Sequence, residues 1–225
     1  MSTYLITGAN RGIGLELTRQ ALAQGHRVIA TCRNPKTANE LTELDGELDV
    51  LALDVADAAA TISLARELNS LRCDVLINNA GIMAAKQSVD DMDYDEWALS
   101  FEVNAIAPWR VATSFKQQLQ RSSAARVVTL TSQMGSLERA GSDRVAYRSS
   151  KAAANMAMKT LALEWKPSAI TVCMLHPGWV RTDMGGSNAA IGTTQSASGL
   201  LNVIEGLSIA DTGCFFDQQG AVIPW

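Results

Sequence analysis

Tyr147 and Lys151 stand four residues apart in Val145-Ala146-Tyr147-Arg148-Ser149-Ser150-Lys151. On a helix that spacing puts both side chains on one face, about 5–6 Å apart at Cβ. A phenol titrates near pH ~10 and is a poor acid or base at neutrality. An ammonium beside it favours the phenolate and lowers that pKa. The pair therefore reads as an acid/base unit. Tyrosine and lysine also meet at this spacing by chance, so its meaning depends on what the rest of the chain places beside it.

A second chemistry lies at the other end of the chain. Gly8-x-x-x-Gly12-x-Gly14, with Arg11 and Ile13 inside it, separates a short apolar run from a helical one. Glycines permit a tight turn and close backbone approach, and a helix N-terminus offers free N–H groups to a pyrophosphate. The spacing differs from the general G-x-G-x-x-G fingerprint, but the strand–loop–helix context is that of a nucleotide site. NAD-selective sites place an acid at the end of the second strand. Here that place reads Thr31-Cys32-Arg33, without a carboxylate. Arg33 and Arg11 can both serve a 2′-phosphate, and the balance favours NADP(H) over NAD(H).

The elements that would position these groups alternate. Apolar runs at Tyr4–Ile6, Arg27–Thr31, Val50–Leu53, Val75–Ile77, Arg126–Leu130, Ile170–Met174 and Cys214–Phe216 read as strands. Between them lie helical stretches: one to about Gln24, stopped by Gly25, a weak one at Ala38–Leu44, and one from an Asp57 cap to about Asn69. Others cover Asp93–Leu119, the Tyr147 segment to about Trp165, where Pro167 ends it, and Ala197–Gly206. Continuous apolar strands separated by helices predict a doubly wound α/β domain. Its sheet is expected to be seven-stranded and mostly parallel, with helices on both faces. Gly8–Gly14, Asp54, Asn79, Ser132 and Pro177–Thr182 each follow a strand end, the edge where such sheets bind ligands.

The 225 residues suit one domain, residues 1–225, with a short lid at about 183–198. Its Gly185–Ser198 part, rich in Gly, Ser, Ala and Thr, reads as mobile. A formal charge of -4 without a basic run argues against nucleic acid. No stretch is apolar enough to span a bilayer. Met1-Ser2-Thr3 leads straight into a strand, without the pattern of a signal peptide. Cys32, Cys73, Cys173 and Cys214 lack metal-ligand spacing and read as buried free thiols, which suits a cytoplasmic protein. With only His26 and His176, no metal site and no Ser-His-Asp triad are expected. His176, before Pro177, reads as structural. Asp90, Asp91 and the acids of Asp93–Glu96 read as a solvated loop and helix start.

Taken in order, Thr7-Gly8-x-x-x-Gly12-x-Gly14, Asn78-Asn79-Ala80-Gly81, Asn104, Ser132, Tyr147-x-x-x-Lys151 and Pro177-Gly178 resemble the short-chain dehydrogenases/reductases over essentially the whole chain. Within that family the chain is most similar to the small C-factor-like and carbonyl-reductase-like members, through His176–Gly186 and the ending Gly213–Trp225. The resemblance implies an NADPH-dependent oxidoreductase acting on a small carbonyl or alcohol. Tyr147 would be its general acid/base. Lys151 would hold the nicotinamide ribose and lower the Tyr147 pKa, and Ser132 would bind the substrate oxygen. Asn104 would anchor a water through its carbonyl. Asp54 and Val55 would meet the adenine, Asn79, Ala80 and Gly81 the adenosine ribose side, and Pro177, Val180 and Thr182 the nicotinamide.

The residue chemistry agrees. A hydride reaching a carbonyl carbon leaves an alkoxide that needs a proton and hydrogen-bond donors. Pro108 has no N–H for the carbonyl of residue 104, which leaves that carbonyl free. Met134, Trp179 and Met184 adjoin these positions and are candidates to line a substrate pocket or simply core. The Ser132–Tyr147 interval lacks the long insertion that shields the helices of monomeric carbonyl reductases, so a homodimer or homotetramer is expected. The alternative reading is an NADP(H)-binding regulatory or cell-signalling protein of the C-factor type with little turnover. An extended-type epimerase or dehydratase fits poorly, because little chain follows Thr182 to build its substrate domain.

Overall fold

The computed structural model describes residues 1–225. Its strands are β1 (Thr3–Thr7), β2 (Arg27–Cys32), β3 (Leu48–Ala52), β4 (Val75–Asn78), β5 (Arg126–Leu130), β6 (Thr171–His176) and β7 (Phe215–Asp217). They form one sheet in the order β3-β2-β1-β4-β5-β6-β7. Every pairing is parallel, so the expected "mostly parallel" sheet is wholly so. Covering both faces explains the continuous apolar runs. In β5, Val127 packs on one side with Leu5, Met158 and Trp165, while Val128 packs on the other with Ile6, Leu17 and Leu200.

Helices α1 (Gly12–Ala23), α2 (Asn39–Thr42) and α8 (Thr193–Gly206) contribute to the second of these cores. Helices α3 (Ala58–Glu67), α5 (Ala107–Ser114), α6 (Lys116–Leu119) and α7 (Val145–Trp165) contribute to the first. Helix α4 (Tyr94–Phe101) is tied to α7 by a Trp97 Nε1 donation to Ser149 Oγ at 2.9 Å. Asp57 and Asp93 cap α3 and α4 by accepting first-turn amides. No helix is long and apolar enough to cross a membrane.

Three local expectations are corrected. The Asp93–Leu119 stretch is not one helix: a π-helical turn at Glu102–Ile106 separates α4 from α5, and α6 follows a break at Phe115. Pro108 offers no N–H to the preceding turn, and just before it the Ala107 N–H bonds the Glu102 carbonyl, one residue beyond the α-helical partner. The weak helix at Ala38–Leu44 is a 3₁₀ turn, Pro35–Thr37, followed by the single-turn α2. The lid does not extend to 198, because α8 starts at Thr193 and buries Ser196, Ala197, Leu200, Leu201 and Ile204 at helical spacing. What remains is fastened. Arg181 Nη1 donates to the Ala189 carbonyl at 2.9 Å, and Trp179 Nε1 to the Gly185 carbonyl at 2.8 Å.

Neighbours β1 and β4 carry the chain to opposite sides of the sheet. The crevice at their C-terminal ends is therefore the switch point at which open parallel sheets bind ligands.

Candidate active site

The loop after β1 is shaped by its glycines. Gly8 and Gly12 adopt φ of +65° and +57°, the left-handed region that costs other residues energy. A Cβ on Gly14 would meet Asn79 Nδ2 and stand 2.5 Å from the Gly8 carbonyl oxygen. Asn79 is the staple: its Nδ2 donates to the Thr7 carbonyl at 2.7 Å and the Gly8 carbonyl at 2.9 Å. Thr7 Oγ1 in turn accepts the amides of Asn79 and Ala80 at 3.1 and 3.2 Å. The loop and the end of β4 are thus one rigid cradle. The first-turn amides of α1, Gly12, Ile13 and Gly14, have no acceptor within the helix and open onto it.

The two arginines expected at a 2′-phosphate are not brought together. Arg11 reaches across the cradle to the lid, where its Nη1 lies 2.7 Å from Asp183 Oδ2. Arg33 lies just past β2, is exposed and has no ion pair. Asp54 and Val55 follow β3. Asp54 Oδ1 accepts the Ala56 amide at 3.0 Å, and the Val55 carbonyl accepts from Arg110 Nη1 at 3.0 Å.

The pair of Tyr147 and Lys151 lies in the first two turns of α7, with Lys151 Nζ 5.7 Å from the centre of the Tyr147 ring. Ser132 follows β5. Its Oγ accepts the Met134 amide at 3.1 Å, which leaves the hydroxyl proton free to donate. Lys151 is buried and donates to the Leu130 carbonyl at 2.9 Å; burial pushes its ammonium down to about 8. Tyr147 corrects an expectation: its phenol is raised, not lowered. Burial drives it up, while the Ser132 hydroxyl beside it and the charge of Arg144 pull it back in part. A buried lysine that itself resists charging is not among the groups that lower it.

Asn104 sits in the π turn and is buried. Its Oδ1 accepts the Ile82 amide at 2.9 Å, and its Nδ2 donates to the Ile82 carbonyl at 2.8 Å and Ser150 Oγ at 3.0 Å. It therefore joins the segment after β4 to α7. At Gly81 a Cβ would stand 3.2 Å from Asn104 Oδ1 and 3.4 Å from Lys151 Nζ. His176 is buried, which pushes it down to about 4, so it is neutral and structural. Cys32, Cys73 and Cys173 are buried free thiols, with Cys214 partly so.

A cavity of about 790 Å³ opens beside this cluster, lined by Gly81 to Val89, Asp91, Ser142 to Arg144, Arg11, Asp183 and Met184. Of the three residues expected to line a pocket, Met184 does so. Met134 touches it only through Arg144, whose Nη1 lies 4.0 Å from Met134 Sδ. Trp179 instead latches the lid. Pro177, Val180 and Thr182 lie on the segment after β6, and Thr182 Cγ2 is 3.3 Å from where a Gly12 Cβ would be. Sequence reasoning missed Gln87 and Arg144. Gln87 Oε1 accepts the Tyr147 amide at 3.0 Å and its Nε2 donates to the Ala84 carbonyl at 2.6 Å. No spacing in the sequence signals that contact across sixty positions.

Comparison with known proteins follows the same lines. Residues 2–190 match the family model described as short chain dehydrogenase. C-signal of Myxococcus xanthus is 44% identical over 154 residues, 68% of this chain and 92% of that protein. The NADPH-bound carbonyl reductase from chicken fatty liver matches with a TM-score of 0.93 at 32% identity, over 100% of this chain and 99% of that one. Carbonyl reductase Sniffer of D. melanogaster gives 0.95 at 30% identity, over 100% of both chains.

Proposed function

This chain belongs to the short-chain dehydrogenases, a family of oxidoreductases, and from that membership we propose that it is an NADPH-dependent carbonyl reductase with Tyr147 as its proton donor. The observation that carries the reading is the meeting of Tyr147, Ser132 and Lys151 with the Gly8–Gly14 cradle at one edge of the sheet.

The residues present fit a dinucleotide. The cradle tolerates no Cβ at Gly14, and its first-turn amides suit a pyrophosphate. Arg33, with no competing acid at the end of β2, suits a 2′-phosphate. Asp54 and Val55 would flank the adenine, and Asn79, Ala80 and Gly81 the adenosine ribose side. Pro177, Val180 and Thr182 would meet the nicotinamide. NADPH bound to the chicken carbonyl reductase supports the choice of cofactor. When bound, the nicotinamide supplies the hydride that the carbonyl carbon receives.

The chain's own residues do the rest. Ser132 donates its hydroxyl to the substrate oxygen, and Tyr147 passes its phenolic proton to that oxygen as negative charge develops. The raised phenol keeps Tyr147 protonated at neutral pH, which suits reduction. Lys151, held by the Leu130 carbonyl, would meet the ribose hydroxyls and return a proton toward Tyr147. The Asn104 side chain fixes the segment after Gly81 through the Ile82 amide, and its backbone carbonyl would accept a water leading to Lys151. Exposed Leu99 and Ile106 on the α4–α5 side and Met156 and Leu163 on α7 offer faces through which copies would pair.

NADPH oxidation against a panel of ketones, aldehydes and quinones, with NADH run in parallel, tests the reading. Turnover with NADPH favoured sustains it, and preference for NADH removes the Arg33 argument. The likeness to C-signal favours a second reading, a regulatory NADP(H) binder. Tight NADPH binding with no turnover across the panel would select it.

A further inference from the structure

We propose that Arg144 anchors a carboxylate on the substrate, so that the carbonyl compounds this protein takes are oxo acids. The proposal rests on the reductase reading and names its substrate class. Three cations line the cavity: Arg11, Lys86 and Arg144. Arg11 is 2.7 Å from Asp183, and Lys86 Nζ is 3.4 Å from Asp91. The third lining acid, Asp143, is taken by Arg148, which donates to its Oδ1 through Nε at 3.2 Å and Nη2 at 2.9 Å. Arg144 is left with Nε at 3.8 Å from the same carboxylate and Nη1 at 4.0 Å from the Met134 thioether. It is the cavity cation with the longest ion pair, sharing an acid that Arg148 already holds by two hydrogen bonds.

Its backbone points the same way. Arg144 has φ 53° and ψ 47°, one of only two non-glycine residues at positive φ. Such a conformation is unfavourable for a long side chain and persists where surrounding structure holds it, often at ligand sites. Arg144 is the N-cap of α7: its carbonyl accepts the Arg148 amide at 2.9 Å, while Gln87 Oε1 accepts the Tyr147 amide in the first turn at 3.0 Å.

The guanidinium also stands in register with the chemistry. The Met134 amide is bonded to Ser132 Oγ, while the Met134 sulfur meets Arg144. Met134 is thus an apolar spacer between the group that would hold the carbonyl oxygen and a planar fork suited to a carboxylate. The Arg144 charge is felt at the Tyr147 phenol, so both ends act in one electrostatic neighbourhood. A substrate with a ketone at Ser132 and Tyr147 and a short chain along Met134 delivers its carboxylate to Arg144.

Straight-chain methyl-ketone acids of increasing length, each beside its methyl ester, test this with NADPH as reductant. The readout is the ratio of kcat/KM for acid over ester. The wild type is expected to favour the acid at its best chain length by at least about tenfold, the value of one charge-assisted pair. Arg144→Asn, which tolerates the left-handed backbone, brings the ratio to about one. Arg144→Lys keeps part of the preference, and Arg121→Gln, outside the cavity, keeps all of it. A wild-type ratio near one, or a preference that survives Arg144→Asn, overturns the proposal. If nothing is turned over, the reductase reading fails separately, and calorimetric titration of the acids into NADP⁺-saturated protein decides the anchor. Binding at least tenfold weaker in Arg144→Asn sustains it; equal or absent binding overturns it.

Discussion

Replacing Lys151 by methionine should make the protein more stable at neutral pH while removing its activity. Lys151 is 5% exposed, and burial moves its ammonium from 10.5 to about 8. That displacement corresponds to about 3 kcal/mol, borne by the fold whenever the group is charged. Below about pH 8 both the folded and unfolded chains carry the proton, so the cost is complete. Between about 8 and 10.5 the unfolded chain binds more protons than the folded one, and stability rises with pH. Methionine removes the charge and keeps the length, but strands the Leu130 carbonyl at a cost of about 1–2 kcal/mol. The net gain at pH 7 is therefore about 1–2 kcal/mol, or about 2–8 °C in Tm. Urea melts of wild type and Lys151→Met at intervals from pH 7 to 10 measure it, and the difference between the two cancels the other titrating groups. The variant's advantage should shrink and then reverse as pH rises. A variant less stable than wild type at pH 7, with a gap that does not change to pH 10, refutes the burial argument.

Other consequences are open to equally direct measurement. Gly14→Ala should destabilise by about 1–3 kcal/mol in chemical melts and weaken NADPH binding, because its Cβ meets Asn79 and the Gly8 carbonyl. Arg33→Asp should weaken NADPH binding by about thirtyfold or more, about 2 kcal/mol of charge-assisted hydrogen bonding, with much less effect on NADH. Fluorescence titration with both cofactors checks this, and equal losses would remove Arg33 from the 2′-phosphate. Met156→Glu with Leu163→Glu puts charge on an exposed apolar face of α7 and should yield monomers by light scattering. An unchanged mass would place the contact elsewhere or leave the chain monomeric.

What could be seen in the sequence was whatever is periodic or short-range. Alternation of Val127 and Val128 between two cores is visible as an unbroken apolar run, and the sheet follows from it. Gly8, Gly12 and Gly14 are legible because each needs a conformation or a closeness that side chains forbid. The π turn had a visible cause in Pro108, but its form did not, since a missing donor leaves a helix several ways to adjust. The lid was misjudged because Thr193, Thr194 and Ser196 are loop-like in composition, yet they open α8 and the small Ser196 is buried against the fold. Gln87 and Arg144 were invisible for another reason. Gln87 matters through a contact sixty positions away and Arg144 through its backbone conformation and its place on the cavity wall, and neither residue type nor spacing announces these. The direction of the Tyr147 shift failed likewise: proximity to Lys151 is local, while the burial that overrides it is tertiary.

The central claim is that Tyr147 gives the proton during carbonyl reduction. Tyr147→Phe keeps the ring and removes only the hydroxyl. Single-turnover NADPH oxidation with the best carbonyl of the panel, alongside NADPH affinity by fluorescence, isolates that atom. The account predicts a rate lowered by at least about a thousandfold, within the span of general-acid catalysis joined to loss of a hydrogen bond, with NADPH affinity within about threefold of wild type. Single-turnover rates equal to wild type would contradict it.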